Sequence, residues 1–278
     1  MTYRPCSKPA AAVRHVFLLV TSAFILLPFV WMVSLSMKPA SEIFQSSFSL
    51  LPTHWGAVDN YSAALSSAPL LTYMVNGVIV CFSIVVLQIV ISAPAAYALA
   101  KLDFMGRDFL FGLVLISLLI PHQVLALPLF IIAYKVGLLD SYFGLILPFI
   151  VSPFAIFLLR QCFKSVPEDV IHAARLDGLS DLSIIWRILL PMASPAVAAL
   201  SILTIVSRWN DLFWPSIAVS SEQLMPPPLG MMAFANVEAG TDYGPLMAAA
   251  VIIVSPLILT FLIAQRAFVR GLTDGAIK

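Results

Sequence analysis

Six stretches, each near the roughly 20 apolar residues that a spanning helix needs, alternate with polar or turn-rich sequence along the chain. They are Val16–Met37, Tyr73–Ala100, Phe109–Ile132, Tyr142–Leu159, Ser194–Ser216 and Pro245–Phe268. The pattern predicts an all-α integral membrane protein with six transmembrane helices in a single domain, residues 1–278, and a polar loop over residues 165–191. Prolines in or near the spans (Pro28, Pro94, Pro121, Pro128, Pro148, Pro153, Pro256) would break a soluble helix. In a membrane, neighbouring helices re-satisfy the freed carbonyls, so kinks are expected instead. The first stretch follows Arg4, Lys8 and Arg14, as a signal peptide would. Its apolar run exceeds the usual ~7–15 residues, and it is read as an uncleaved span.

The polar loop has a pattern of its own. Ser165 and Glu168 have the spacing of a capping box, with Pro167 in the first turn. Val170, Ala173, Ala174 and Leu176 would form a small apolar face, and Gly178 a left-handed cap. Ser180 would cap a second helix with an apolar face of Ile184, Ile185, Ile188 and Leu189, ending at Pro191 before the fifth span. Two short helices at an angle make a knob that fits a groove on a partner. The same pattern suits a loop packed beneath its own bundle.

Composition narrows the function classes. The chain is 61% hydrophobic and 10% charged, where a soluble domain has about 25% charged residues, so most of it faces lipid or other helices. A net charge of +1 and the lack of a basic stripe argue against a nucleic-acid partner. With the N-terminus inside, the inner segments hold twelve basic residues: Arg4, Lys8, Arg14, Lys101, Arg107, Arg160, Lys164, Arg175, Arg187, Arg266, Arg270 and Lys278. The outer loops hold Lys38 and Lys135. This asymmetry places both termini, and the polar loop, in the cytoplasm. Cys6, Cys81 and Cys162 form no paired spacing, and the four histidines are scattered. No GxG fingerprint, phosphate loop, HExxH or GxSxG occurs. No catalytic, metal or cofactor site is indicated, and an ATP site for energy-driven work would lie on another chain.

Polar residues within the spans are candidates for a solute path. Arg208, Asn210 and Asp211, with Trp209 beside them, lie in or at the outer end of span five. A charge at mid-bilayer costs at least ~2.5 kcal/mol, so such groups line a cavity or meet a partner. An Arg208–Asp211 pair snorkelling to the interface is the other reading. Asn76, Gln88 and Gln123 are weaker path candidates, since polar residues in spans also serve as interhelical hydrogen bonds.

The residues Ala173-Ala174-x3-Gly178-x9-Ile188-x-Leu190-Pro191 resemble the EAA-x3-G-x9-I-x-L-P loop of binding-protein-dependent ABC importer permeases. His172 stands where that family usually has glutamate, with Glu168 and Asp169 nearby. Asn60-Tyr61, Asn76, the Tyr97–Arg107 stretch, Ile120-Pro121, Pro128-Leu129, Phe157–Gln161, Trp209-Asn210-Asp211, Gln265–Leu272 and Gly275-Ala276-x-Lys278 are similar to further family positions in the expected order. The whole looks like the MalG-type subunit of carbohydrate importers, a subfamily that includes glycerol-phosphate and polyol importers. The resemblance implies a type I importer (MetI-like) permease fold in a bacterial or archaeal cytoplasmic membrane. It implies a MalF-like second permease, two ABC ATPase subunits that bind ATP and Mg, and an extracytoplasmic solute-binding protein. It also implies that Glu168, His172, Ala173, Ala174, Arg175, Asp177, Gly178, Ile188, Leu190 and Pro191 form the coupling element to the ATPase. A self-contained secondary carrier is the competing class. Against it stand the missing buried carboxylate relay and the lack of a detectable inverted repeat.

Overall fold

The computed structural model describes residues 8–44, 49–234 and 242–274. Expectations at Arg4, Cys6, Gly275, Ala276 and Lys278 fall outside the described residues, as do those on the side chains of Lys8, Arg266 and residues 268–272. In chain order the main helices are α1 (Lys8–Ser36), α2 (Ala57–Ser67), α3 (Leu70–Lys101), α4 (Arg107–Ser117), α5 (Ala126–Val136) and α6 (Tyr142–Ile146). They continue as α7 (Pro153–Ser165), α8 (Glu168–Leu176), α9 (Asp181–Ile184), α10 (Ser194–Trp209), α11 (Phe213–Ala218) and α12 (Tyr243–Asp274). No strand occurs among the described residues.

Among the described residues, three helical stretches are long and apolar enough to cross a membrane unbroken: Ala12–Ser36, Leu70–Lys101 and Tyr243–Ile263. Each keeps its proline (Pro28, Pro94, Pro256) inside a continuous helix. The other three candidate spans are bent pairs of helices, which brings the spans to six if each pair crosses once, and the expected kinks are sharp breaks here. Residues 107–117 and 122–136 meet at 96°, residues 142–149 and 153–165 at 45°, and residues 181–192 and 194–209 at 82°. The cause is local. Pro121 is extended (φ −63°, ψ 133°) and lacks the N–H that would continue α4. Pro153 opens α7 behind Ser152, whose hydroxyl accepts from the Ala155 N–H at 3.2 Å. The 82° bend falls at Ala193 (φ −88°, ψ 12°), just before Pro195 in the first turn of α10; α10 then ends at Trp209, and Asp211 accepts the Trp214 N–H at the start of α11.

The chain divides into two compact units, Met1–Ala68 with Met231–Val254, and Pro69–Gly230 with Ser255–Lys278. In the first, Asn60 of α2 ties down the end of α1. Its amide donates to the Ser36 and Lys38 carbonyls at 2.9 and 2.8 Å, and Tyr61 meets the Ser36 hydroxyl at 3.2 Å. Gly244 leaves the room this needs, because a Cβ there would lie 2.4 Å from Asn60 Oδ1.

The second unit holds two apolar cores strung along α3. One gathers Ala93, Ala96 and Tyr97 with Leu159, Phe163, Ile171, Ala174, Ile184, Ile185 and Leu189, beneath the polar loop. The other gathers Val80 and Ile84 with Leu145, Trp214, Ala218 and Leu229. Arg160 binds α7 to its neighbours, its Nε donating to the Leu99 carbonyl (3.1 Å) and its guanidinium lying 3.6 Å from the Phe111 ring centroid. Asp140, at φ 54°, clips a connecting loop by accepting from the Ser220 and Ser221 N–H groups and the Ser221 hydroxyl. Those donors, the hydroxyl foremost, hold its carboxyl below the usual range.

Candidate functional site: the hook and the polar cavity

The polar loop folds as a hook of two short helices joined at Gly178. Helix α8 does not start on a capping box. Ser165 is still the last residue of α7, and its hydroxyl turns back to the Cys162 carbonyl at 2.7 Å. The N-cap is Pro167, and Glu168 reaches Lys101 at 2.8 Å instead. The helix end agrees closely with the sequence pattern. Gly178 has φ 80°, its N–H reaches the Arg175 carbonyl, and the Leu179 N–H reaches the Ala174 carbonyl. These are the two bonds of a Schellman motif. Ser180 then caps α9, accepting from the Ser183 N–H at 3.4 Å. A π-helical turn, Ile185–Leu189, carries the chain on, with Ile184, Ile185 and Leu189 fully buried.

The apolar face of α8 is not the expected one. Ile171 and Ala174 are buried with Val170 packed beside them, whereas Ala173 is exposed and Leu176 is 89% exposed. Residues three and four apart share a helix face. His172, Ala173 and Leu176 therefore form the bare side of the hook, with Asp177 and Gly178 at its corner. Ala174, Ile188 and Leu190 belong to the chain's own core, and Pro191 is exposed. Arg175 does not pair with Asp177; it meets Asp181 at 3.2 Å and the Tyr97 hydroxyl at 3.0 Å.

The breaks at Pro121 and Pro148–Pro153 border a largely apolar cavity of about 640 Å³ that carries a few polar groups, with an overlapping one of about 710 Å³. Gln88, Gln123 and Arg208 line the first, and Gln123, Arg208, Asn210 and Asp211 the second. Arg208 bonds Asp211 at 2.9 Å, and its guanidinium lies 4.0 Å from the Phe149 ring centroid. Both side chains are about one-sixth exposed, at 15% and 16%, so the pair is largely enclosed by the unit. Gln88 is committed, donating to the Phe149 carbonyl (2.7 Å) and accepting from Thr204 (2.9 Å).

Two path candidates lie elsewhere. Trp209 is 3% exposed and packs on Gly77 of α3. Asn76 is 1% exposed, and its amide donates to the Gln223 and Met225 carbonyls at 2.8 and 3.0 Å. Its Oδ1 accepts the Tyr142 hydroxyl at 2.6 Å. Replacing Asn76 by leucine removes three hydrogen bonds at about 1 kcal/mol each. Denaturant titration of the purified protein should show a loss near ~3 kcal/mol. Phe149 and His122, whose rings meet edge to face at 6.3 Å, were not among the path candidates. Pro148 and Pro153 within the fourth apolar stretch were the available signal. No cluster of histidine, cysteine and carboxylate able to hold a metal occurs among the described residues.

Residues 88–274, which hold the hook and the cavity, match the family described as binding-protein-dependent transport system inner membrane component. The chain belongs to this family. It is an ABC importer permease with the type I (MetI-like) fold. The permease is similar to the arabinooligosaccharides transport system permease protein AraQ of Halalkalibacterium halodurans, with 36% identity over 90% of each chain. It is 32% identical to the sn-glycerol-3-phosphate transport system permease protein UgpE of Yersinia pestis, over 94% of this chain and 95% of that one. Among solved structures it resembles a bacterial ABC transporter involved in the import of the acidic polysaccharide alginate. That match has a TM-score of 0.84 and 26% identity, and covers 96% of this chain and 99% of the other.

Proposed function

We propose that this permease docks an ABC ATPase through the bare face of its hook and passes a neutral saccharide along the cavity beside Arg208. The observation that carries the reading is the two-sided hook: Ile171 and Ala174 are sunk in the bundle, while His172, Ala173, Leu176 and Gly178 face outward with no covering contact from this chain's core. Glu168 and Asp177 border that face, Ile188 and Leu190 hold it in place from behind, and Pro191 follows them, exposed, before α10. A second permease, two ATPases carrying ATP and Mg, and an external binding protein complete the importer. The distribution of lysine and arginine supports a cytoplasmic hook and cytoplasmic termini in a multi-pass inner-membrane protein with one transmembrane domain.

The cavity's charge bears on the solute. Asp211 already compensates Arg208, so the pair offers no spare cation to a phosphate ester. Amides, hydroxyls and the Phe149 ring suit a sugar with alternating hydroxyl and C–H faces. The arabinooligosaccharide relative agrees with this reading, and the glycerol-phosphate relative marks the alternative. The test is ATP-dependent uptake by the complex reconstituted with its partner permease, ATPase and binding protein. Arabinotriose should accumulate and sn-glycerol 3-phosphate should not; the reverse would overturn the solute assignment. Arg208→Ala should slow arabinotriose uptake by about tenfold, equal to ~1.4 kcal/mol of barrier, with assembly unchanged. An unaltered rate would remove Arg208 from the path.

A further inference from the structure

We propose that Tyr97 and Lys101, one helical turn apart at the end of α3, latch both ends of the hook helix and make α3 the element that carries hook displacement to the cavity. They are positioning residues for coupling, and the inference rests on the hook's assignment to an ATPase.

Lys101 holds the start of α8. Its side chain is 1% exposed, and its ammonium donates to the Val166 carbonyl at 2.6 Å and to Glu168 at 2.8 Å. A solvated lysine pair would be too weak to hold anything. This ammonium is withdrawn from water, so its donors are committed to the hook. Tyr97 holds the other end. Its hydroxyl donates to Asp181 at 2.7 Å and accepts from Arg175 at 3.0 Å, and Arg175 reaches the same carboxylate oxygen at 3.2 Å. Arg175 is in the last turn of α8 and Asp181 in the first turn of α9. One turn of α3 therefore grips both ends of a nine-residue helix and the start of the next.

Between the two grips Ile171, Ala174 and Ile184 pack against Ala93, Ala96 and the Tyr97 ring in one close-packed core. Packed cores shift between discrete arrangements rather than deforming smoothly. The hook also joins α7 through Val166-Pro167, with Leu159 and Phe163 of α7 in the same core, and α10 through the π-helical turn, but the side-chain hydrogen bonds at both ends of α8 come from α3. From the latch, α3 continues nine residues, about 13 Å at 1.5 Å per residue, to Gln88. Gln88 is bonded to Thr204 of α10 and to the Phe149 carbonyl at the cavity edge. A contiguous chain of contacts thus runs from Glu168 and Asp181 through α3 to the ring that carries Arg208.

The experiment uses the assembled complex in lipid nanodiscs, with Cys6, Cys81 and Cys162 replaced and nitroxides placed at Leu182→Cys and Phe82→Cys. These two positions are 60% and 68% exposed. Pulsed EPR distances are read without nucleotide and with ATP and vanadate, beside ATP hydrolysis and ATPase co-purification. With the latch intact, one narrow distance should be common to both states. In the Tyr97→Phe/Lys101→Met variant the distance should broaden or shift on trapping, and hydrolysis should lose its dependence on the binding protein. Lys101→Arg should behave as the parent. Tyr97→Phe alone removes one oxygen, and its broadening decides the case if the double variant does not assemble. A parent distance that changes on trapping, or a variant that keeps the parent's, would overturn the latch. A parent chain that retains no ATPase would overturn the hook assignment itself, and the latch with it.

Discussion

Gly178→Asn should leave the permease folded and inserted while abolishing coupled uptake. The residue sits at φ 80° at the end of α8, and a Cβ built on it meets nothing within 4 Å of this chain. Asparagine tolerates the left-handed conformation better than other non-glycine residues, so neither strain nor an internal clash explains a loss. On the proposed docking, what the side chain would meet is the ATPase. Valine separates the two causes, because a β-branched residue there also pays about 1–2 kcal/mol of backbone strain. If strain governs, valine should lower the unfolding midpoint and asparagine should behave nearly as glycine. If docking governs, both should stop uptake, and asparagine should do so with the midpoint unchanged. Uptake, ATPase co-purification and unfolding measured on the same preparations distinguish these outcomes.

Gly230→Ala should destabilise the second unit strongly for a single-methyl change. The added Cβ would lie 2.1 Å from Tyr73 Cδ2, with Cε2 at 2.4 Å and Cγ at 2.6 Å. Tyr73 is 0% exposed and its hydroxyl donates to Glu222 at 3.1 Å, so the ring cannot swing aside without breaking that bond. Overpacking a filled core costs about 1–3 kcal/mol, and a contact this close belongs at or above the upper end. The matched control is Gly112→Ala. There a Cβ meets nothing, and alanine favours the α4 helix by about 1 kcal/mol over glycine. Thermal unfolding of the two variants should move in opposite directions, and a Gly230→Ala midpoint equal to the parent's would refute the packing argument.

The features legible in the sequence are those whose cause is local. Gly178 and Ser180 announce a helix end and a helix start within four residues, and both occur where expected. The apolar stretches are legible for the same reason, since length and hydropathy need no partner. Where the stretches break was not legible. Pro94 rests inside α3 while Pro121 ends its helix, because the outcome depends on whether neighbours satisfy the freed carbonyl. Side-chain direction was the other gap. Ala173 and Ala174 are adjacent and identical, yet one is bare and the other buried. Asn76 reads first as a structural hydrogen-bonding residue and only second as a path residue, and its bonds to the carbonyls of residues 223 and 225 follow the first reading. Ser165 met a capping pattern, but α7 had not yet ended.

The π-helical turn at Ile185–Leu189 gives the interval between Gly178 and Ile188 a geometric meaning. A π turn holds one residue more than an α-helix of the same reach. Each residue added to or taken from a helix rotates the downstream chain by about 100°. The nine residues between that glycine and isoleucine therefore act less as a spacer than as a dial. They set the compass bearing of the hook corner relative to α10, while the aliphatic side chains of the turn stay in the core.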